Sequence, residues 1–129
     1  MRAGRVLRQL IIARIIAEVP VLGGRVFDKA VEGTATPYVT MGPSYWVDDS
    51  SECITSRAQT VQIDIWDEQS NKGVVEDIVD DIAAALSGYA DESLLTMHPM
   101  NIVLSPRVED DPDGIHIHGF LQVEAMVEG

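Results

Sequence analysis

The side chains best suited to chemistry lie near the C-terminus. His116-Ile117-His118 sets two imidazoles on one face of an extended strand, because side chains there alternate with period two, and Asp110, Asp111 and Asp113 stand just before them. Imidazole nitrogen and carboxylate oxygen are donors that a divalent cation accepts, so a metal- or small-ligand-binding hairpin is one reading. Such a site needs a third ligand in register. The alternative leaves both imidazoles in solvent, opposite Ile115, Ile117 and Phe120. The aspartates resemble part of a calcium loop, but the twelve-residue ligand pattern and its closing Glu are missing. Turn chemistry accounts for the segment more simply: Pro112 presets one dihedral and Gly114 accepts a positive φ, which makes Glu109 to Gly114 a hairpin turn.

Other chemistries find less support. Cys53 is the single cysteine and has no neighbouring histidine. Neither a Gly-x-Ser-x-Gly elbow nor a phosphate-cradling glycine loop occurs. Asp48, Asp49 and Glu52 are expected in a solvated acidic loop, and the stretch from Asp67 to Asn71 suits a helix cap better than a triad. No catalytic residue, resident metal or cofactor is therefore expected. Trp46 and Trp66 stand beside polar loops, where a large aromatic serves either as an interface anchor or as a cover for the end of a sheet.

The elements that must position these groups follow from periodicity. Between Arg2 and Ala17 the residues Val6, Leu7, Leu10, Ile11, Ile15 and Ile16 recur at three- and four-residue steps, predicting a helix with a wide buried stripe. Pro20 and Gly23-Gly24 stop it. A short strand at Arg25-Val26-Phe27 and a loop from Asp28 to Thr36 come next. Pro37 opens a strand that reaches Trp46, with Gly42-Pro43 as a bulge or edge signal. From Arg57 to Trp66 the chain alternates, with Val61, Ile63 and Ile65 inward and Gln62, Asp64 and Trp66 outward. A second helix is predicted from Val74 to Ser87, with Val75, Ile78, Val79, Ile82, Ala83 and Leu86 inside and Gly88 as its C-cap. Strands from Met100 to Val108 and from Ile115 to Val127 complete the order α-β-β-β-α-β-β. The expected class is α+β: one small antiparallel or mixed sheet with two main helices on one face, in a single domain over residues 1–129.

Composition limits the partners. Apolar residues are 46% of the chain, enough for a core, and 9 Lys plus Arg against 21 Asp plus Glu give a net charge of −12. Binding to nucleic-acid phosphate or to an anionic membrane rests on cationic contacts and is disfavoured. The cations are uneven, with Arg2, Arg5, Arg8 and Arg14 in the first fourteen residues and acids dominating later. The apolar run from Val6 to Val21 is interrupted by Arg8, Gln9, Arg14 and Glu18. It reads as a helix of the domain and not as a signal peptide or a membrane span. A lone cysteine excludes a disulfide framework and is compatible with a reducing cytoplasm.

Four segments taken in order resemble the tail-completion or tail-terminator proteins of long-tailed bacteriophages and gene transfer agents. They are the amphipathic helix ending in Gly24-Arg25-Val26-Phe27-Asp28; Pro37-Tyr38-Val39-Thr40; Val61-Gln62-Ile63-Asp64-Ile65-Trp66; and Asp111-Pro112-Asp113-Gly114-Ile115-His116-Ile117-His118-Gly119-Phe120 ahead of Val127-Glu128. The resemblance implies a virion protein made in the bacterial host cytoplasm and assembled as a hexameric ring on the last ring of the tail tube. Such a ring stops tube growth and joins the tail to the head–tail connector, while DNA passes through its lumen without specific binding. A head-completion or neck protein is the neighbouring possibility, and the His116/His118 hairpin is the one from another class. The segment from Ser44 to Cys53 departs from the family pattern, which has a shorter polar turn there. Contacts between copies are expected first between Arg2, Arg5 and Arg8 and the acidic loops of the next copy, Asp48, Asp49, Asp110 and Asp111, with Trp46 as an anchor.

Overall fold

The computed structural model describes residues 2–30, 32–51, 54–93 and 95–128, and within that set the side chains of residues 104 and 105 are left aside. Helix α1 (Ala3–Glu18) is followed by a 3-10 turn (Pro20–Leu22), then by strands β1 (Val26–Phe27), β2 (Tyr38–Asp48) and β3 (Ser56–Glu68). A second 3-10 turn (Gln69–Asn71) leads into α2 (Lys72–Leu86), and β4 (Asn101–Asp110) and β5 (His116–Glu128) close the chain. The α-β-β-β-α-β-β order matches the expectation. The strands form a five-stranded sheet in the order β1-β2-β3-β5-β4. It is mixed: β1 runs parallel to β2, and every other pairing is antiparallel.

At its centre β3 and β5 pair without a break from Ser56↔Glu128 to Glu68↔His116. Strand β5 alternates strictly, and Ile117, Leu121, Val123, Ala125 and Val127 are buried. Val61, Ile63 and Ile65 of β3 lie on the same side, as the alternation predicts. Both helices cover this face. From α1 come Leu7, Leu10, Ile11 and Ile15, from α2 Val75, Ile78, Val79, Ile82 and Leu86, all in one continuous core cluster with the strand residues. Gly119 is required by this packing, since a Cβ there would fall 2.8 Å from both Val75 Cγ1 and Val79 Cγ2. The sheet's far edge is blunted: β4 carries register shifts on both sides of residue 104, and Pro106 removes an N–H.

Several boundaries and faces differ from the sequence expectations. Strand β2 runs on through Asp48, and β3 begins at Ser56, because cross-strand pairs Tyr45↔Thr60 to Asp48↔Arg57 extend the hairpin past the expected loop start. Glu52 and Cys53 of that loop lie outside the described residues. The Gly42-Pro43 bulge is present as a register shift between Met41 and Ser44. An added Cβ at Gly42 would lie 2.5 Å from Asp64 Oδ2, so glycine makes room there for a carboxylate. Ile16 is 43% exposed, because the buried arc of α1 is narrower than the stripe its spacing outlined, while Ala85 joins the buried side of α2. Helix α2 starts at Lys72, and Asn71 makes no capping bond, its amide donating to Asp67 Oδ1 instead at 3.1 Å. After Ser87, Gly88 takes φ 77°, the left-handed conformation common just past a helix end, and donates to Met100 O at 2.8 Å and not back into the helix.

Substituting Gly119→Ala should cost about 1–3 kcal/mol through overpacking against α2. The readout is a lower urea midpoint at unchanged slope, and a wild-type midpoint would refute the close approach.

Candidate interaction surface

The two helices leave the opposite face of the sheet open, and its residues bond to one another. Trp66 stacks on His118 with ring centroids 4.0 Å apart and parallel planes, and Phe120 lies 5.2 Å beyond His118. Trp66 Nε1 donates to Thr40 Oγ1 at 3.0 Å. His118 Nε2 sits 2.7 Å from Asp64 Oδ1, which also accepts from Gln62 Nε2 at 3.0 Å, and Gln122 Nε2 donates to Gln62 Oε1 at 3.0 Å. Asp64, expected to face solvent, is thus buried within a bonded cluster. Phe120 shares the face of the histidines, being two residues beyond His118, and Ile115 is 64% exposed; both correct the arrangement first expected.

The histidines do not converge. His116 Nδ1 lies 2.5 Å from Asp113 Oδ2 inside the β4–β5 turn, and His118 has the separate partner Asp64. Among the described residues no group of three or more His, Cys, Asp or Glu side chains is placed to hold a metal. Asp111 belongs to the turn, its backbone N–H donating to His116 O and its carbonyl accepting from Gly114 N, both at 3.0 Å. Asp110 ends β4 opposite Ile117.

The opposite end of the sheet carries the β2–β3 hairpin. Tyr45, Trp46 and Val47 are 52%, 55% and 62% exposed, and Ile54 across the tip is 47% exposed. Cross-strand pairing places Trp46 with Gln59 and Asp48 with Arg57, on the helix-bearing side of the sheet, where the Arg57 guanidinium lies 4.8 Å from the Trp46 ring centroid. Serines order the tip. Ser50 donates to Asp48 Oδ1 from its hydroxyl at 2.6 Å and its N–H at 3.0 Å, and Ser56 Oγ donates to Asp49 O at 2.8 Å. The Ser50 hydroxyl and then its N–H hold the Asp48 carboxyl below its ordinary range, so the tip keeps its negative charge.

Helix α1 begins beside this hairpin: the first-turn residue Gly4 approaches the Gln59 amide and the Arg57 guanidinium. Its N-terminus has no side-chain cap and no acid in the first turn, so the partial positive charge of the helix end adds to exposed Arg2 and Arg5. Arg8 has an internal partner, Asp28, at 3.2 Å. Arg14 is tied to Ala85 O of α2 at 3.1 Å and to the ring of Tyr89 just beyond that helix. The candidate interface residues therefore divide. Arg2, Arg5, Trp46, Asp48 and Asp49 gather at one end of the sheet. Asp110 and Asp111 lie at the other, about 33 Å away by the rise of β3 between Arg57 and Asp67. The exposure of Tyr45 and Val47 was not anticipated; their strand pattern was the available signal, but no periodicity says which strand segment lacks a cover.

Fold and surface together define a small α+β protein with one sheet face under helices and charged and aromatic groups left open to other macromolecules. The chain belongs to the tail completion protein gp17 family, whose sequence profile matches residues 10–128. It is thus a structural component of a virion tail. In fold it is similar to a chain from the virion of a native gene transfer agent particle, with a TM-score of 0.75 and 18% identity over 92% of each chain. No curated protein matches it. Among the described residues no helix is long and apolar enough to cross a membrane.

The turn offers a pH test. Bonds from the His116 side chain, then from the N–H groups of His116 and Ile115, hold Asp113 well below the ordinary carboxylate range. A lowered folded-state pKa contributes stability that is complete above the unfolded value of about 3.9 and is lost as pH falls through the folded value. Asp113→Asn should therefore flatten the fall of Tm below about pH 4. A variant as acid-sensitive as the parent would show that these bonds add nothing.

Proposed function

We propose that copies of this chain form a ring on the head-proximal end of the tail tube, stop its growth and join the tail to the head connector. The family match across nearly the whole chain carries this reading. The work is binding: one surface meets the tube, another the neck, and repeated contacts between copies close the ring. A net charge of −12 per copy suits a lumen crossed by DNA, because like charge keeps phosphate from adhering. Contacts between copies draw on the cationic end of α1 and on the acidic loops. The ring has six members in this reading, and the tail tube protein and the connector are its partners.

Negative-stain microscopy of the purified protein with tail tubes lacking their own terminator tests the proposal. Rings at one end of each tube, with no further extension, are expected, and the image gives the symmetry. Uncapped tubes that keep growing would overturn the reading, and binding to capsids instead would transfer the protein to the neck.

A further inference from the structure

We propose that the β2–β3 hairpin of one copy docks along the outer face of α1 of a second copy, acidic tip to cationic helix end and apolar stem to apolar helix face. The inference rests on the ring reading above and names the contact that would build it.

The hairpin is the least covered apolar part of the described chain. Tyr45, Trp46 and Val47 follow one another in a strand whose free edge is paired only where β1 meets Val39 and Thr40. Its tip is acidic through Asp48 and Asp49, both exposed and ordered by Ser50 and Ser56. An arm of this kind, apolar along the stem and negative at the end, calls for a surface apolar at one end and positive at the other.

Such a surface lies on α1. The buried arc of the helix is Ala3, Leu7, Leu10, Ile11 and Ile15, so the outer ridge runs through Arg5, Gln9, Ile12 and Ile16 at i, i+4, i+7 and i+11, with Ile12 also packed against the edge of the core. The first part of this ridge is cationic, since Arg2 and Arg5 are exposed at an uncapped helix end. The second part is apolar, with Ile16 exposed and Ile12 half-buried. Lengths also agree. Arg5 to Ile12 spans about 10 Å at a helical rise, and Tyr45 to Asp48 spans about 10 Å at a strand rise. Placing Asp48 and Asp49 at Arg2 and Arg5 therefore sets Tyr45 against the isoleucines, with Trp46 on the other side of the strand.

The β4–β5 turn is the competing acidic partner, and position decides against it. Rotation about a ring axis lifts no element along that axis. The proposed contact sets the strands along the ring axis, so that groups at the same end of the sheet meet between copies without any shift along the strands. Arg2, Arg5, Asp48 and Asp49 share an end, whereas Asp110 and Asp111 are at the other. Beside the aspartates of the turn, Ile115 is the exposed large apolar side chain among the described residues 109–116.

Cross-linking between differently tagged full-length chains tests the contact. In a Cys53→Ser background, one chain carries Tyr45→Cys and the other Ile16→Cys, and the two are mixed with terminator-free tail tubes and a short bismaleimide. A product bearing both tags is expected, dominant over products joining like chains. Charge reversal supplies the second arm: Arg2→Glu/Arg5→Glu or Asp48→Lys/Asp49→Lys alone should weaken ring formation about tenfold or more, and their combination should restore it. Melting curves confirm that each variant folds. Tubes capped without the mixed product and without rescue overturn the contact and leave the capping function intact. The mixed product without capping retains the contact and removes the tail-end assignment. A stronger link from Asp110→Cys than from Tyr45→Cys to Ile16→Cys also overturns the proposal, in favour of the far turn.

Discussion

The unbroken antiparallel register of β3 against β5 is the constraint on which the rest depends. It aligns the odd-numbered residues Val61, Ile63, Ile65, Ile117, Leu121 and Val123 into one apolar surface, and both helices are held by that surface. A slip of one residue would turn every one of these side chains on the slipped strand to the open face and bury Gln62, Asp64 or the histidines under α2. The loss of apolar burial, at about 25 cal/mol per Å², would fall on the whole core at once. Gly119 narrows the choice further, because only a residue without Cβ fits beneath Val75 and Val79. Register, helix position and sheet order are therefore one decision.

The open face reinforces the same register from the other side. His118 meets Asp64 and stacks on Trp66, and Gln122 bonds Gln62, each across the β3–β5 pair. Each pairing depends on partners directly opposite or one step away on the neighbouring strand, so a slipped sheet would lose them together. Buried carboxylate, imidazole and indole have partners here, which is what half-burial of polar groups requires. The residues that first looked reactive are thus consumed by the architecture of the sheet.

What the sheet leaves over is assembly. Its far edge is closed to strand addition by irregular pairing and Pro106, while its near edge extends into an arm of exposed aromatics with a negative tip. A tail protein must be soluble as it is made and adhesive when it meets its neighbours. In the proposed contact, charge at the end of an apolar arm reconciles these, because it keeps the free arm hydrated and selects the partner surface.

The sequence by itself determined the element order, the α+β class and most of the core, because helix and strand periodicities are local and the glycines and prolines that bound them act within a few residues. Val61, Ile63 and Ile65, the α2 inner face, the Gly42-Pro43 bulge and the turn at Pro112 to Gly114 were all legible for that reason. The tertiary structure alone decided that Asp64 and His118, 54 positions apart, form a pair. It also decided that Ile16 faces outward, that the strands run through Trp46 to the acidic tip, and that the acidic groups near residues 48 and 110 occupy opposite ends of one sheet. These outcomes depend on which surface a distant element covers, and coverage is a property of packing that no local pattern of residues contains.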